Sequence, residues 1–261
     1  MHNELIFKSL VKLKPVRLAA MDCVRFMNRT DTKYVFPVSR LGDLIDNLDG
    51  KYKVLEIEKL KTQLYTTTYL DTHEYLFYYQ HINGHLERHK VRFRTYESTG
   101  ESFLEVKTKT NKKRTIKNRL NFNSITGSFD EISGSFIKEH SLIDPTLLKP
   151  VLINRFTRTT LISFATIERI TLDFNLSFTD IETGTRIEMP YIAIAELKKE
   201  GHSASSPFND NLKNMGIYPT GFSKYCIGSA ILNDSLRKNI LKPKLLKLKK
   251  IEDESIRSIG N

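Results

Sequence analysis

Six segments of the chain, 61–71, 88–96, 102–109, 151–159, 169–178 and 191–199, are rich in β-branched and aromatic residues, and in four of them apolar and polar positions alternate with a period of two. Such alternation predicts half-buried β-strands, because successive side chains on a strand point to opposite faces. The polar positions are largely charged. Arg88, Lys90, Arg92 and Arg94 share one face, with Val91 and Phe93 on the other. Glu105, Lys107 and Lys109 oppose Leu104 and Val106. Arg169, Thr171 and Asp173 oppose Ile170, Leu172 and Phe174, and Glu196 and Lys198 oppose Ala195 and Leu197. Turn signals at Asn83-Gly84, Ser98-Thr99-Gly100 and Thr183-Gly184 give the spacing of antiparallel hairpins, not of βαβ units. Helical periodicity is scarcer. It occurs at 38–48 (Leu41, Leu44, Ile45 and Leu48, with Ser39 as a cap and Gly50 as a stop), at 207–215 (Phe208, Leu212 and Met215, ended by Gly216) and more weakly at 130–140. The pattern predicts an α+β protein, an antiparallel sheet or barrel with a few helices packed outside it.

With 261 residues the chain can bury a sizeable core. No fixed-period repeat and no Gly/Ser- or Pro-rich linker divides it, so a single domain over 1–234 is expected, followed by a flexible basic tail over 235–261. Mean hydropathy is −0.36, and no apolar run approaches the ~18 residues that cross a bilayer, which excludes an integral membrane protein of the helical kind. Lys8, Lys12 and Lys14 interrupt the N-terminal segment, so it does not read as a secretory signal. Cys23 and Cys226 are the two cysteines; they make neither a disulfide framework nor a Cys-based zinc site, in keeping with a reducing, cytoplasmic setting.

The formal net charge of +11 is unevenly placed. Residues 88–119 contain 11 basic and 3 acidic side chains and the tail 8 basic and 3 acidic, which leaves the rest of the chain slightly acidic. One charged strand face is ordinarily a wet face. Four in one chain, mostly cationic, repel one another unless an anion neutralises them. Turned inward in a closed sheet, they would line a polar tunnel with Arg and Lys donors suited to a chain of phosphates. Nucleic acid fits less well. Trp is absent, the basic strands lack interleaved aromatics to stack bases apart from a few such as Phe93 and Tyr96, and no RNP, zinc-finger or helix-turn-helix pattern occurs. There is no G-x-x-x-x-G-K-[ST] loop, so phosphates would be bound by side chains.

Several ordered motifs resemble those of the VTC domain, the catalytic domain of vacuolar transporter chaperone-type polyphosphate polymerases, within the triphosphate tunnel metalloenzyme (CYTH-like) superfamily. They are Arg29-Thr-Asp-Thr-Lys33-Tyr34, the strand from Tyr65 to Thr72, Arg88-His-Lys-Val-Arg-Phe-Arg-Thr-Tyr96, Phe103-Leu-Glu-Val-Lys107, Arg155-Phe-Thr-Arg158, Arg169-Ile-Thr-Leu-Asp173, Ala195-Glu196-Leu-Lys198 and Ser223-Lys224-Tyr225. The resemblance runs from about Arg25 to Asn233 and implies an antiparallel eight-stranded β-barrel whose tunnel binds triphosphate and polyphosphate. It implies phosphate ligands at Lys33, Lys90, Arg92, Arg94, Lys107, Lys117, Arg158, Arg169, Ser223 and Lys224. Arg158, Arg169, Lys107 and Glu196 would carry the catalysis. Glu196, with Glu105, would hold a divalent cation, Mn²⁺ or Mg²⁺, and Asp31 stands where the family has Glu.

The implied activity is transfer of the ATP γ-phosphate to a growing polyphosphate chain, with ADP released. A tunnel phosphohydrolase and a non-enzymatic polyphosphate binder are the alternatives. Plainer roles also fit single residues: Lys33 or Arg155 as a surface cation, Glu105 as an ion-pair partner of Lys107, Asp173 as a structural acceptor for Arg169, and Cys226 as packing. His81, His85 and His89 recur at helical spacing, but Asn83-Gly84 between them reads as a hairpin. In the tail, Leu241 to Lys250 mixes Leu and Lys as a membrane-surface helix would, while Pro243 favours a disordered segment. The sequence specifies no oligomeric state.

Overall fold

The computed structural model describes residues 2–24, 29–112, 114–122, 129–200 and 206–259. Lys113 and Arg25, used in the sequence reading, lie outside them. Eleven strands and seven helices are formed by these residues. The strands are β1 (Pro15–Val16), β2 (Arg29–Pro37), β3 (Lys53–Leu55), β4 (Gln63–Thr72), β5 (Arg88–Tyr96), β6 (Ser102–Lys109), β7 (Thr115–Asn121), β8 (Leu148–Ser163), β9 (Glu168–Asp180), β10 (Arg186–Met189) and β11 (Ile192–Glu200). The helices are α1 (His2–Lys12), α2 (Leu41–Asp46), α3 (Leu76–Ile82), α4 (Glu131–Ser141), α5 (Pro207–Asn214), α6 (Lys224–Leu232) and α7 (Lys242–Ile259). None of them is long and apolar enough to cross a membrane.

Eight strands form one continuous antiparallel path, β2-β11-β9-β8-β4-β5-β6-β7, while β1, β3 and β10 attach to its side. The expected eight strands are therefore present. Among the described residues no ladder joins β2 to β7, so the barrel is open along that seam. The path nevertheless curls on itself, since Lys107 on β6 lies within electrostatic reach of Lys33 on β2 and Glu196 on β11.

The alternation of the sequence fixes which face turns outward. Val91, Phe93, Leu104, Val106, Ile170, Leu172, Ala195 and Leu197 are all buried, beneath helices on the outside of the sheet. One core packs β4, β5, β6 and β8 against α3, α4, α6 and α7; the other packs β9, β11 and β2 against α1, α2 and α5. Each fully buried Leu or Phe contributes roughly 1.5–3 kcal/mol, so the helical cover is what holds the curl. The charged face is not the wet one: Arg94 is 7%, Glu105 1% and Asp173 2% exposed.

Two expectations change here. Asn83-Gly84 ends a helix instead of turning a hairpin: α3 stops at Ile82, and Gly84 (φ +71°) leads into β5. The C-terminal segment, expected as a flexible tail, is helical as α7, with Leu248 and Ile251 buried in the first core. Pro243 stands in the first turn of α7, where its missing N–H has no intrahelical partner to lose.

Candidate functional site

Three carboxylates, Glu105 and Asp173 buried and Glu196 half-buried, organise the interior, each gripped by cations from neighbouring elements. Glu105 lies opposite Arg92 on β5 and Arg119 on β7 in the ladders. Arg92 donates to its Oε2 from Nε at 2.8 Å and from a terminal nitrogen at 2.6 Å. Lys117 pairs with Oε1, and Arg94 stands 3.9 Å from Oε2. Burial disfavours the Glu105 charge, but Arg92, Arg94 and Lys117 outweigh it and hold the carboxyl well below the usual range.

Asp173 on β9 is the second centre, opposite Arg158 on β8. Arg158 donates to it bidentately, Nε to Oδ1 at 2.5 Å and a terminal nitrogen to Oδ2 at 2.7 Å. Lys224, the first residue of α6, also pairs with Oδ2. Against the burial penalty, Arg158 and then Lys224 bring the Asp173 carboxyl down to about 2. Glu196 on β11 is the third. Its register partner on β2, Lys33, lies 2.9 Å from Oε1, and Lys198 pairs with Oε2 and also with Asp31 at 3.3 Å. Lys198 and Lys33 overcome the burial penalty here too and keep Glu196 ionised.

Between these centres stand lysines with no acid of their own. Lys90 opposes Lys107 in the β5–β6 ladder, and Lys107 opposes Lys117 in the β6–β7 ladder. Lys90 donates to Ser223 Oγ at 2.9 Å, and among the described residues neither Lys90 nor Lys107 makes an ion pair. Burial and the repulsion of Lys33 lower Lys107 to about 7, and burial chiefly brings Lys90, Lys117 and Lys224 down to about 8. Aromatic rings wall the other part of the cavity. Tyr65 stacks on Phe156 at 5.3 Å, with Arg158 5.1 Å and Arg94 5.6 Å from the Tyr65 centroid and Lys224 4.2 Å from that of Phe156.

Local structure aims the last two ligands. Ser223 is the N-cap of α6 and accepts the Cys226 N–H, so Lys224 starts the helix with its side chain free to reach Asp173. Gly228 lets α6 approach the sheet: a Cβ there would meet Phe178 Cδ1 at 2.4 Å and Leu152 Cδ2 at 2.9 Å.

The structure thus brings together Lys33, Lys90, Arg92, Arg94, Glu105, Lys107, Lys117, Arg158, Glu196, Ser223 and Lys224. Arg169 opposes Lys198 in the β9–β11 ladder, on the parity of Thr171 and Asp173. Arg155 is exposed. Asp173, first read as a structural acceptor for Arg169, instead anchors Arg158 and Lys224. Glu105 binds cations across the ladder, not Lys107 two residues along, because opposed residues lie closer than i and i+2. Lys198, Tyr65 and Thr67, whose Oγ1 accepts from Arg94 Nε at 3.3 Å, belong to the site but were not singled out. The parity that placed Glu196 and Arg94 inward already contained the first, and the cross-strand register of β4 and β5 supplies the others.

Residues 28–233 match the family model of the VTC domain. The chain belongs to the VTC domain family. The matched VTC domain runs from β2 through α6 and includes every site residue above, while α1 and α7 lie outside it. No curated protein sequence matches the chain. Among solved structures, a candidate adenylate cyclase from Bacillus halodurans is similar at 16% identity and a TM-score of 0.49, over 76% of this chain and 96% of that one. A candidate adenylyl cyclase from Hippeastrum with a dominant triphosphatase activity is similar at 15% identity and a TM-score of 0.47, over 78% and 96%. A candidate adenylate cyclase from Vibrio parahaemolyticus has 11% identity and a TM-score of 0.45, over 77% and 97%.

Proposed function

We propose that the chain is a polyphosphate polymerase, transferring the γ-phosphate of ATP to the end of a polyphosphate chain held in the cationic interior. The observation that carries this reading is the juxtaposition of Lys90 and Lys107, two half-buried lysines without acidic partners, inside a ring of Arg and Lys from six strands, β2, β5, β6, β7, β8 and β11. Such a set repels itself when empty and is relieved by a linear polyanion. Its inward direction also argues against a nucleic-acid duplex as the partner, because a duplex is met by cations on an outer surface.

Phosphoryl transfer asks a protein for alignment and charge neutralisation more than for covalent chemistry. Lys33, Lys90, Arg92, Arg94, Lys107, Lys117, Ser223 and Lys224 hold the phosphates of donor and acceptor end to end. A terminal oxygen of the acceptor attacks the γ-phosphorus, and the bond from that phosphorus to the β–γ bridging oxygen breaks. The electron pair stays on the ADP leaving group. Arg158, locked by Asp173, and Arg169 stabilise the charge on the transferred group, aided by Lys107.

A divalent cation, Mn²⁺ or Mg²⁺, fits this donor set at Glu196. Such ions are commonly held by one or two carboxylates together with phosphate oxygens, and Glu196 is ionised, with Asp31 next to its partner Lys198. Bound there, the ion supplies further neutralisation of the phosphate oxygens. Among the described residues no three acidic, His or Cys side chains cluster, so Glu196 would hold the ion together with phosphate oxygens of the substrate. Glu105, with a side chain 1% exposed against 15% for Glu196, is enclosed by Arg92, Arg94 and Lys117, so its proposed part is to position those cations and not to hold the metal.

The test is purified protein with ATP and either ion, with products resolved on a polyphosphate gel. Long chains formed with stoichiometric ADP are expected. Orthophosphate as the sole product would replace this reading with a tunnel phosphohydrolase, and binding without turnover would leave a polyphosphate-binding protein. Undiminished metal-dependent turnover in Glu196→Ala would remove the metal from Glu196.

A further inference from the structure

The C-terminal helix α7 lies outside the matched residues, yet it docks at the Lys90 end of the cationic row. Lys247 Nζ donates to Thr220 Oγ1 at 2.8 Å, and the Thr220 N–H donates to the Lys33 carbonyl at 2.7 Å. The segment leading to Ser223 therefore ties α7 to both β2 and α6. Lys244 points at the same segment, with Nζ 3.5 Å from the position a Cβ on Gly221 would occupy.

His81 at the end of α3 marks where these charges meet. Its Nδ1 is buried with no hydrogen-bond partner among the described residues. Burial, then Lys90, Arg88, Lys244 and Lys33, depress the imidazole to about 2, so the charges that act most strongly on it are cationic. Elements from three parts of the chain thus direct positive charge at the neutral His81 imidazole: β2 through Lys33, β5 through Arg88 and Lys90, and α7 through Lys244. Among the described residues no ion pair neutralises Lys90 or Lys244. The N-terminus of α6, capped by Ser223, adds its own partial positive charge beside them.

We propose that Lys244 on α7 continues the row of phosphate ligands beyond Lys90, so that this end of the tunnel binds the part of a linear polyphosphate that a triphosphate is too short to reach. The inference rests on the polyphosphate reading above and adds a ligand for chain length. Lys247 fixes the helix through Thr220, Lys249 and Lys250 pair with acids of α7 itself, and Lys244 is the α7 lysine placed beside Gly221.

Calorimetric titration of the full chain with tripolyphosphate and, separately, with long-chain polyphosphate tests it on wild type, Lys244→Ala and Lys244→Arg. The alanine variant should bind long chains roughly fivefold more weakly, the size of one partly exposed ion pair, with tripolyphosphate binding unchanged. The arginine variant should bind both as wild type does. Equal weakening toward the two ligands, or none toward either, overturns the proposal while leaving the polyphosphate reading intact. A wild-type protein that binds neither ligand overturns both. Should Lys244→Ala fail to fold, Lys244→Gln keeps the stem that packs and removes only the charge.

Discussion

Asp173 keeps two cations inside the protein that burial alone would expel. Removing its charge as Asp173→Asn leaves Arg158 and Lys224 facing each other beside Tyr65 and Phe156. Breaking one side of a buried pair costs roughly 3–5 kcal/mol, and urea unfolding should show a loss near the lower figure, since the side chains of Arg158 and Lys224 keep 17% and 14% of their exposure. Tripolyphosphate should recover more stability in this variant than in wild type, because the ligand replaces the missing anion. Turnover should still fall at least a hundredfold, as Arg158 loses the bidentate clamp that orients it. An Asp173→Asn protein as stable as wild type without ligand would contradict this account.

The same lysines make a paired prediction in pH. Lys107 and Lys90 titrate near 7 and 8 in the folded protein, pulled down chiefly by burial, against about 10.4 in an unfolded chain. Between those values the unfolded state binds more protons, so stability without ligand rises as pH goes from 7 toward 10. Phosphate binding requires the charged form, so affinity for tripolyphosphate falls over the same interval. Melting temperature and titration calorimetry at pH 7, 8 and 9 should therefore move in opposite directions. A common direction would mean that these lysines do not face the ligand.

At the scale of elements, α6 sets the reach of Ser223 and Lys224, and Gly228 sets the seat of α6. Alanine is normally the better helix former by about 1 kcal/mol, but at 228 its methyl would overlap the ring of Phe178 and the side chain of Leu152. Gly228→Ala should lower stability by about 1–3 kcal/mol and weaken phosphate binding by shifting the helix start. A more stable variant would show that the seat is loose. The strands were legible because parity survives folding unchanged: β5 and β6 begin and end where alternation does. The helices were less so. α6 carries apolar and small residues nearly all round, being covered on several sides, and leaves no periodic stripe. α7 buries Leu248 and Ile251 while Lys242, Lys249 and Lys250 are exposed, but Pro243 in its first turn reads as a breaker unless the helix start is known. Asn83-Gly84 carries the same ambiguity, since a positive-φ glycine serves a hairpin and a helix end equally. Of the site, the cations were legible from residue type and parity. The assignment of each acid to its cations was not, because it depends on which strands are neighbours.

For the whole molecule the excess of positive charge is a statement about where an anion belongs. A basic outer surface and a basic interior give the same net charge but respond differently to a polyanion. Ligand on an outer patch gains little, because exposed charges are already solvated and screened within about 8 Å at physiological ionic strength. On the proposed reading, ligand in the curl of the sheet would meet cations from β2, β5, β6, β7 and β8 at once and relieve repulsion among groups that solvent does not fully reach. Since it binds the folded state alone, tripolyphosphate at a hundred times its dissociation constant adds about 2.7 kcal/mol. For a chain of this size that corresponds to a rise in melting temperature of roughly 5–10 °C. Sodium chloride at equal ionic strength should give a much smaller rise and, added to the complex, should diminish the effect of the phosphate. Equal shifts from the two salts would put the positive charge back on the outer surface, and the tunnel reading would fail at the scale of the whole fold.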